Sequence, residues 1–216
     1  NSFTLSDSLD LVPITGLFNT GVDAEGKVLA PGTADPNWTI TSSADGGFAT
    51  PGAAIVQANH PAWATNDAVG SIGSSFISIV PNGPTGIAGG DYTFETTFDL
   101  TGLDPASAIL GLEVAADNSF EVFLNGESKG TGSGFAALGD PLYITDGFVA
   151  GENTLEFVLN NAPGSGPNPG GIRIEAFGGA QAAAAVPEPA SIAMWSLLGL
   201  VSCGFGWLRL RKRSAR

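Results

Sequence analysis

Residues 92–126, YTFETTFDLTGLDPASAILGLEVAADNSFEVFLNG, carry the clearest structural pattern in this chain of 216 residues. Over 92–100, large apolar side chains alternate with polar ones. Alternation with a period of two is typical of a β-strand that has one buried face and one solvated face. Two further apolar runs occupy 109–116 and 120–124, and the second ends in Asn-Gly at 125–126, a dipeptide that favours a hairpin turn. The stretch therefore predicts three consecutive strands.

Short apolar runs of the same kind occur on both sides of this stretch. Turn-forming residues separate them, and the 31 glycines and 14 prolines of the chain argue against a helical domain. Eight or more short strands in one domain predict an all-β fold, which we expect to be a two-sheet sandwich of jelly-roll type. The further strands are predicted at residues 38–41, 76–80, 142–144, 155–159 and 172–176.

Four segments of the body also resemble a known type of module. They are GLFNTGVDAEGKVLAPGTADPNWTI at 16–40, YTFETTFDLTGLDP at 92–105, DNSFEVFLNG at 117–126 and FVAGENTLEFVLNNAPGSGPNPGGIRI at 148–174. Their order is similar to that of galactose-binding-like β-sandwich modules, which occur as accessory domains in exported bacterial proteins. The resemblance implies a jelly-roll domain over residues 1–177 and does not identify a ligand.

The C-terminal 31 residues differ in character from the body. VPEPAS at 186–191 leads into an uncharged apolar run at 190–208, and a basic tail occupies 209–216. Nineteen helical residues would be about 28 Å long, close to the hydrocarbon thickness of a bilayer. The sequence therefore predicts a transmembrane helix over 190–208. The basic residues of the tail are Arg209, Arg211, Lys212, Arg213 and Arg216. By the positive-inside rule the tail therefore stays in the cytoplasm and the body lies outside.

The same C-terminal parts resemble the PEP-CTERM sorting signal of bacterial envelope proteins, with Pro187, Glu188 and Pro189 as its recognition residues. In that family an exosortase, a membrane-bound protease-transpeptidase, recognises the Pro-Glu-Pro segment and removes the membrane helix. The Gly/Ala composition of residues 178–186 predicts a linker, and the resemblance implies a sorting segment at 187–216. It also implies that the body reaches the cell surface or the medium, often in bacteria that make exopolysaccharide.

The body is strongly acidic. Residues 1–186 hold twenty acidic residues and three basic ones, which gives a formal charge of −17. Binding to nucleic acid requires a basic surface, so we exclude it as a partner. The only cysteine, Cys203, lies in the apolar run, and the body therefore has no disulfide and no reactive thiol.

The sequence predicts a protein that is not an enzyme. His60 is the only histidine and lies in an Asn-His-Pro turn, so any catalytic triad or ordinary zinc site would have to be built around it. We expect His60 to have a structural role. The leading hypothesis is an exported surface or matrix protein, and one alternative is a self-assembling surface subunit.

Two binding hypotheses remain open at this point. Asp117, Asn118 and Glu121 are candidate oxygen ligands for a structural calcium ion, although Asp117 and Asn118 could instead shape the turn before the 120–124 strand. Trp63 lies in a predicted loop, and its ring is the candidate platform of a carbohydrate-binding module that attaches to exopolysaccharide. No other cofactor is predicted.

Overall fold

The computed structural model describes residues 10–81, 86–164 and 168–184. The strands of these ranges all belong to one compact unit, Asn1–Ala183, and a 3-10 turn spans Pro105–Ser107. The strands are β1 Val12–Pro13, β2 Ala34–Ser43, β3 Gly52–Val56, β4 Ile77–Ser78, β5 Gly90–Asp99, β6 Ile109–Leu124, β7 Glu127–Gly134, β8 Leu142–Ile144, β9 Glu152–Asn161 and β10 Gly171–Ala180.

Seven of these strands close into a barrel. Their order is β10, β4, β3, β2, β5, β9 and β6, and β6 pairs again with β10 to complete the ring. The long strand β6 makes closure possible, because residues 109–117 pair with β10 while residues 119–124 pair with β9. The remaining strands add to the outside of this ring, with β1 beside β10 and both β7 and β8 beside β6.

The predicted two-sheet jelly roll is therefore wrong. Strands do occupy the predicted positions, but the two strands predicted at 109–116 and 120–124 are one continuous strand, β6. The predicted turn at Asp117 and Asn118 is absent from the described chain: both residues lie inside β6, where its pairing with β7 is irregular between Ala116 and Ser119. At this point β6 changes its partner from β10 to β9. In the predicted jelly roll these strands would form two separate sheets, whereas here β6 joins them into one closed sheet.

The predicted fold also included a transmembrane helix over 190–208, which the structure does not support. None of the helical segments in the described ranges is long and apolar enough to cross a bilayer. The apolar run, Pro187-Glu188-Pro189 and the basic tail all lie outside the described residues.

The main core fills the interior of the barrel. The alternation predicted for residues 92–100 is confirmed, since Tyr92, Phe94 and Phe98 are buried on the inner face of β5. Strand β9 pairs with β5 over its full length and contributes Phe157, whose ring lies 5.8 Å from that of Trp38. Burial of such large side chains is the principal stabilising term for a domain without disulfides.

A second, smaller core lies on the outer side of the barrel. Trp63, Phe76 and Ala115 are buried together, and the Trp63 and Phe76 rings stack with centroids 4.5 Å apart. Ala115 alternates along β6 with Val114 and Ala116, which belong to the main core. The segment 57–76, hereafter the strap, therefore covers part of the outer face of β6 and β10.

Arg173 of β10 anchors the strap. Its Nε donates to Ser74 Oγ at 2.6 Å, and its Nη1 donates to the carbonyl oxygen of Thr65. Its Nη2 lies 2.8 Å from Asp67 Oδ2 and 2.9 Å from Glu175 Oε1. The guanidinium is buried, and two carboxylates, the Ser74 hydroxyl and the Thr65 carbonyl replace the water that it loses on folding.

Candidate functional site

An open groove crosses the outer face of four neighbouring strands, β5, β9, β6 and β7. The pairing register places Asp91 opposite Asn160, Asn160 opposite Ser119, and Ser119 opposite Ser133. Asp91, Asn160 and Ser119 point away from the core because each adjoins a buried residue on its strand, and Ser133 shares their face because it lies directly opposite Ser119. The groove has a volume of about 450 Å³ and is lined by Asp91, Ser119, Phe120, Glu121, Thr131, Gly132, Ser133, Val158 and Asn160.

Hydrogen bonds position the polar groups of this groove. Asn160 Nδ2 donates to Asp91 Oδ1 at 2.6 Å, and Ser128 Oγ donates to Glu121 Oε1 at 2.6 Å. Gly132 lies directly opposite Phe120, and the Phe120 ring fills the place that a Cβ at Gly132 would take on the core-facing side of β7. The groove therefore has fixed acceptors at its sides.

The same outer face carries further carboxylates beyond the groove. Glu95 lies directly opposite Glu156, and Asp99 directly opposite Glu152. Like charges at directly opposite positions of antiparallel strands destabilise a sheet. A second open groove of about 470 Å³ includes Asp99 and Glu152. The face is therefore acidic along its length.

The predicted calcium ligands contact three separate partners. Asp117 Oδ2 accepts a hydrogen bond from Trp63 Nε1 at 2.8 Å, and Asn118 Oδ1 accepts one from the Ala162 amide at 2.7 Å. Glu121 Oε1 accepts the bond from Ser128. Over the described ranges, no group of three His, Cys, Asp or Glu residues could hold a metal ion. Calcium binding at Asp117, Asn118 and Glu121 stays a prediction.

Trp63 lies in the second core, with 5% of its surface exposed. One face of its ring stacks on Phe76, its Nε1 donates to Asp117, and His60 packs beside it at 5.2 Å. In this structure the ring therefore presents no free face to a sugar. Among the residues that the structure describes, the exposed large aromatic side chain is that of Tyr143, at 51%, whose ring meets that of Phe177 edge-on.

One motif that sequence reasoning missed is Gly126-Glu127-Ser128-Lys129-Gly130, which has the G-x-S-x-G spacing of a nucleophile elbow. An elbow needs a sharp turn from a strand into a helix, whereas Ser128 lies within β7 and donates to Glu121. His60 Nδ1 accepts a hydrogen bond from the Ala62 amide at 3.3 Å. The structure therefore does not arrange Ser128 and His60 as a nucleophile with its base.

Asp35, at the start of β2, is a buried carboxylate. Its Oδ2 accepts from the Gly21 amide at 2.6 Å and its Oδ1 from the Asn37 amide at 2.8 Å. Burial raises the pKa of Asp35 to about 6, and the backbone hydrogen bonds oppose that shift. Burial also raises the pKa of Asp117, against the hydrogen bond from Trp63 and the charge of His60.

We expect the protein to become more stable as the pH falls from 7 to 5. The folded pKa of Asp35 lies above its ordinary value of 3.8, so its stabilising contribution is complete below pH 3.8 and is lost as the pH rises through about 6. The free energy of unfolding should rise by about 1 kcal/mol over this window. Urea unfolding at pH 7, 6 and 5 measures the change, and a carbon-13 titration of the Asp35 carboxyl identifies its source. A carboxyl that titrates near pH 4 would contradict this assignment.

No protein-family model matches the chain, and no curated protein matches it. Among solved structures, the chain is similar to a family 35 carbohydrate binding module from an environmental isolate. The two are 17% identical, the match covers 61% of this chain and 98% of that one, and the TM-score is 0.31. A similarity at this level carries no argument about fold or ligand.

Proposed function

We propose that this chain is an exported, non-enzymatic protein of the bacterial cell envelope, sorted through Pro187-Glu188-Pro189 to the cell surface or the medium. The observation that carries the proposal is the order of parts at the C-terminal end: Pro-Glu-Pro, an uncharged apolar segment, and a tail with five of the eight basic residues. The processing partner is an exosortase-type enzyme. The protein associates with the membrane only until it is processed.

Two properties of the body support this proposal. Its formal charge of −17 keeps the domain solvated and disfavours association with other acidic surfaces. The domain also relies on packing and on the Arg173 network, since residues 1–186 contain no cysteine. Such a domain needs neither a disulfide-forming system nor a reducing compartment.

Changing Pro187, Glu188 and Pro189 to alanine should block processing in the native host. Without its recognition residues the precursor should keep residues 190–216 and stay with the membrane fraction, whereas the unchanged protein loses them. Fractionation with an antibody against the body, combined with intact mass, measures the outcome. Gln181→Ala, a change directly after β10 that keeps the backbone hydrogen bonds of this residue and lies outside the signal, is the matched control and should be processed normally. Normal release of the triple variant would overturn the proposal.

A further inference from the structure

We propose that the groove across β5, β9, β6 and β7 binds a saccharide that carries amino groups. This inference goes beyond the sorting function and does not depend on it. It rests on three properties of the groove: the spacing of its polar side chains, its charge, and the composition of its floor.

The spacing of the polar side chains suits a chain of hydroxyl-bearing rings. Asp91, Asn160, Ser119 and Ser133 form one row across the four strands, and Glu121 lies in the next row. Adjacent strands are separated by about 4.8 Å, so the row extends over about 14 Å, which accommodates more than one pyranose ring. Carboxylates, an amide and hydroxyls together offer both acceptors and donors to sugar hydroxyls.

The charge of the groove selects the kind of saccharide. Its lining includes two carboxylates, Asp91 and Glu121, and no basic residue. In the hydrogen bonds of the described residues each carboxylate uses one oxygen, which leaves the other for a ligand. Lys129, near the start of β7, forms ion pairs with Glu127 and Asp146. An ammonium group on the sugar would form charge-assisted hydrogen bonds here, whereas uronic acids would be repelled.

The floor of the groove suits the apolar face of a sugar ring. Val158 lies directly opposite Glu121 and one row from Asp91, and it offers a half-buried aliphatic surface on the outer face. The C–H face of a pyranose can rest on such a surface while its hydroxyls and amino groups reach the side walls.

The test compares a glucosamine tetramer with an N-acetylglucosamine tetramer by isothermal titration calorimetry, using the full chain in detergent solution. Asp91→Asn with Glu121→Gln removes both groove charges while keeping the hydrogen bonds to Asn160 and Ser128. Glu95→Gln with Glu156→Gln removes two charges from the same face outside the groove and is the matched control. We expect the groove variant to weaken binding of the glucosamine tetramer at least tenfold and the control variant less than twofold.

Each other outcome overturns the proposal for a distinct reason. Equal losses in both variants would indicate general attraction to an acidic face, and equal binding of both tetramers would show that the amine is not recognised. Spermine that binds as tightly as the tetramer would show that no saccharide is needed. Absence of binding at millimolar tetramer, with unchanged melting temperatures of the variants, would exclude the site. None of these results bears on sorting, which is tested separately in the host.

Discussion

Replacing Arg173 with methionine should lower the free energy of unfolding by about 3 kcal/mol, because it leaves buried partners without their counter-charge. Asp67 and Glu175 would then face each other across the anchor of the strap, and Ser74 would lose its donor. The value lies at the lower end of the range for broken buried pairs, since the side chains of Asp67 and Glu175 are 41% and 30% exposed. Urea unfolding at pH 7 measures the loss.

Two further variants make the Arg173 result specific. Lys27→Met removes an exposed basic residue and should change stability by less than about 0.5 kcal/mol. Adding Asp67→Asn and Glu175→Gln to Arg173→Met should recover at least about 1 kcal/mol, because the uncompensated charges are removed as well. A loss from Arg173→Met that is no larger than that from Lys27→Met would refute the anchoring role.

Replacing Trp63 with alanine should cost about 3–4 kcal/mol, because a large buried ring leaves a cavity against Phe76 and Ala115. The Oδ2 of Asp117 also loses its donor, and this loss should raise the pKa of Asp117 further. Trp63→Phe separates the two effects, since it keeps most of the packing and should cost about 1–2 kcal/mol for the lost hydrogen bond.

Tyr143→Ala is the control for the Trp63 prediction. It removes an aromatic side chain that is half exposed, and we expect it to cost less than about 1 kcal/mol. Chemical denaturation of the three variants under one condition compares them directly. If Trp63→Ala is no more destabilising than Tyr143→Ala, the burial of the Trp63 ring in the second core is contradicted.

Local patterns in the sequence predict the strands that have one buried and one solvated face. Strands β5 and β9 show this alternation plainly, because each contributes one face to the barrel interior. The hairpin between β6 and β7 is also predicted from its Asn-Gly pair: Asn125 and Gly126 have φ values of 53° and 80°, as the turn requires. Strand β7 itself was missed, since ESKGTGSG lies on an edge and buries no large apolar side chain.

The closure of the barrel could not be predicted in this way. It depends on β6 changing its partner near Asp117, and pairing of distant segments leaves no periodic trace in a single sequence. The polar residues of the groove come from four strands, and only the register brings them together. The burial of Trp63 and of Arg173 could not be predicted either, because it depends on the strap, which folds back over the outer face of the barrel.

The most direct test of the proposed function is the intact mass of the protein purified from its native host. Processing at the Pro-Glu-Pro segment predicts a mature protein that contains the barrel and lacks residues 190–216. A mature surface protein that retains the chain through Arg216 would contradict the proposal.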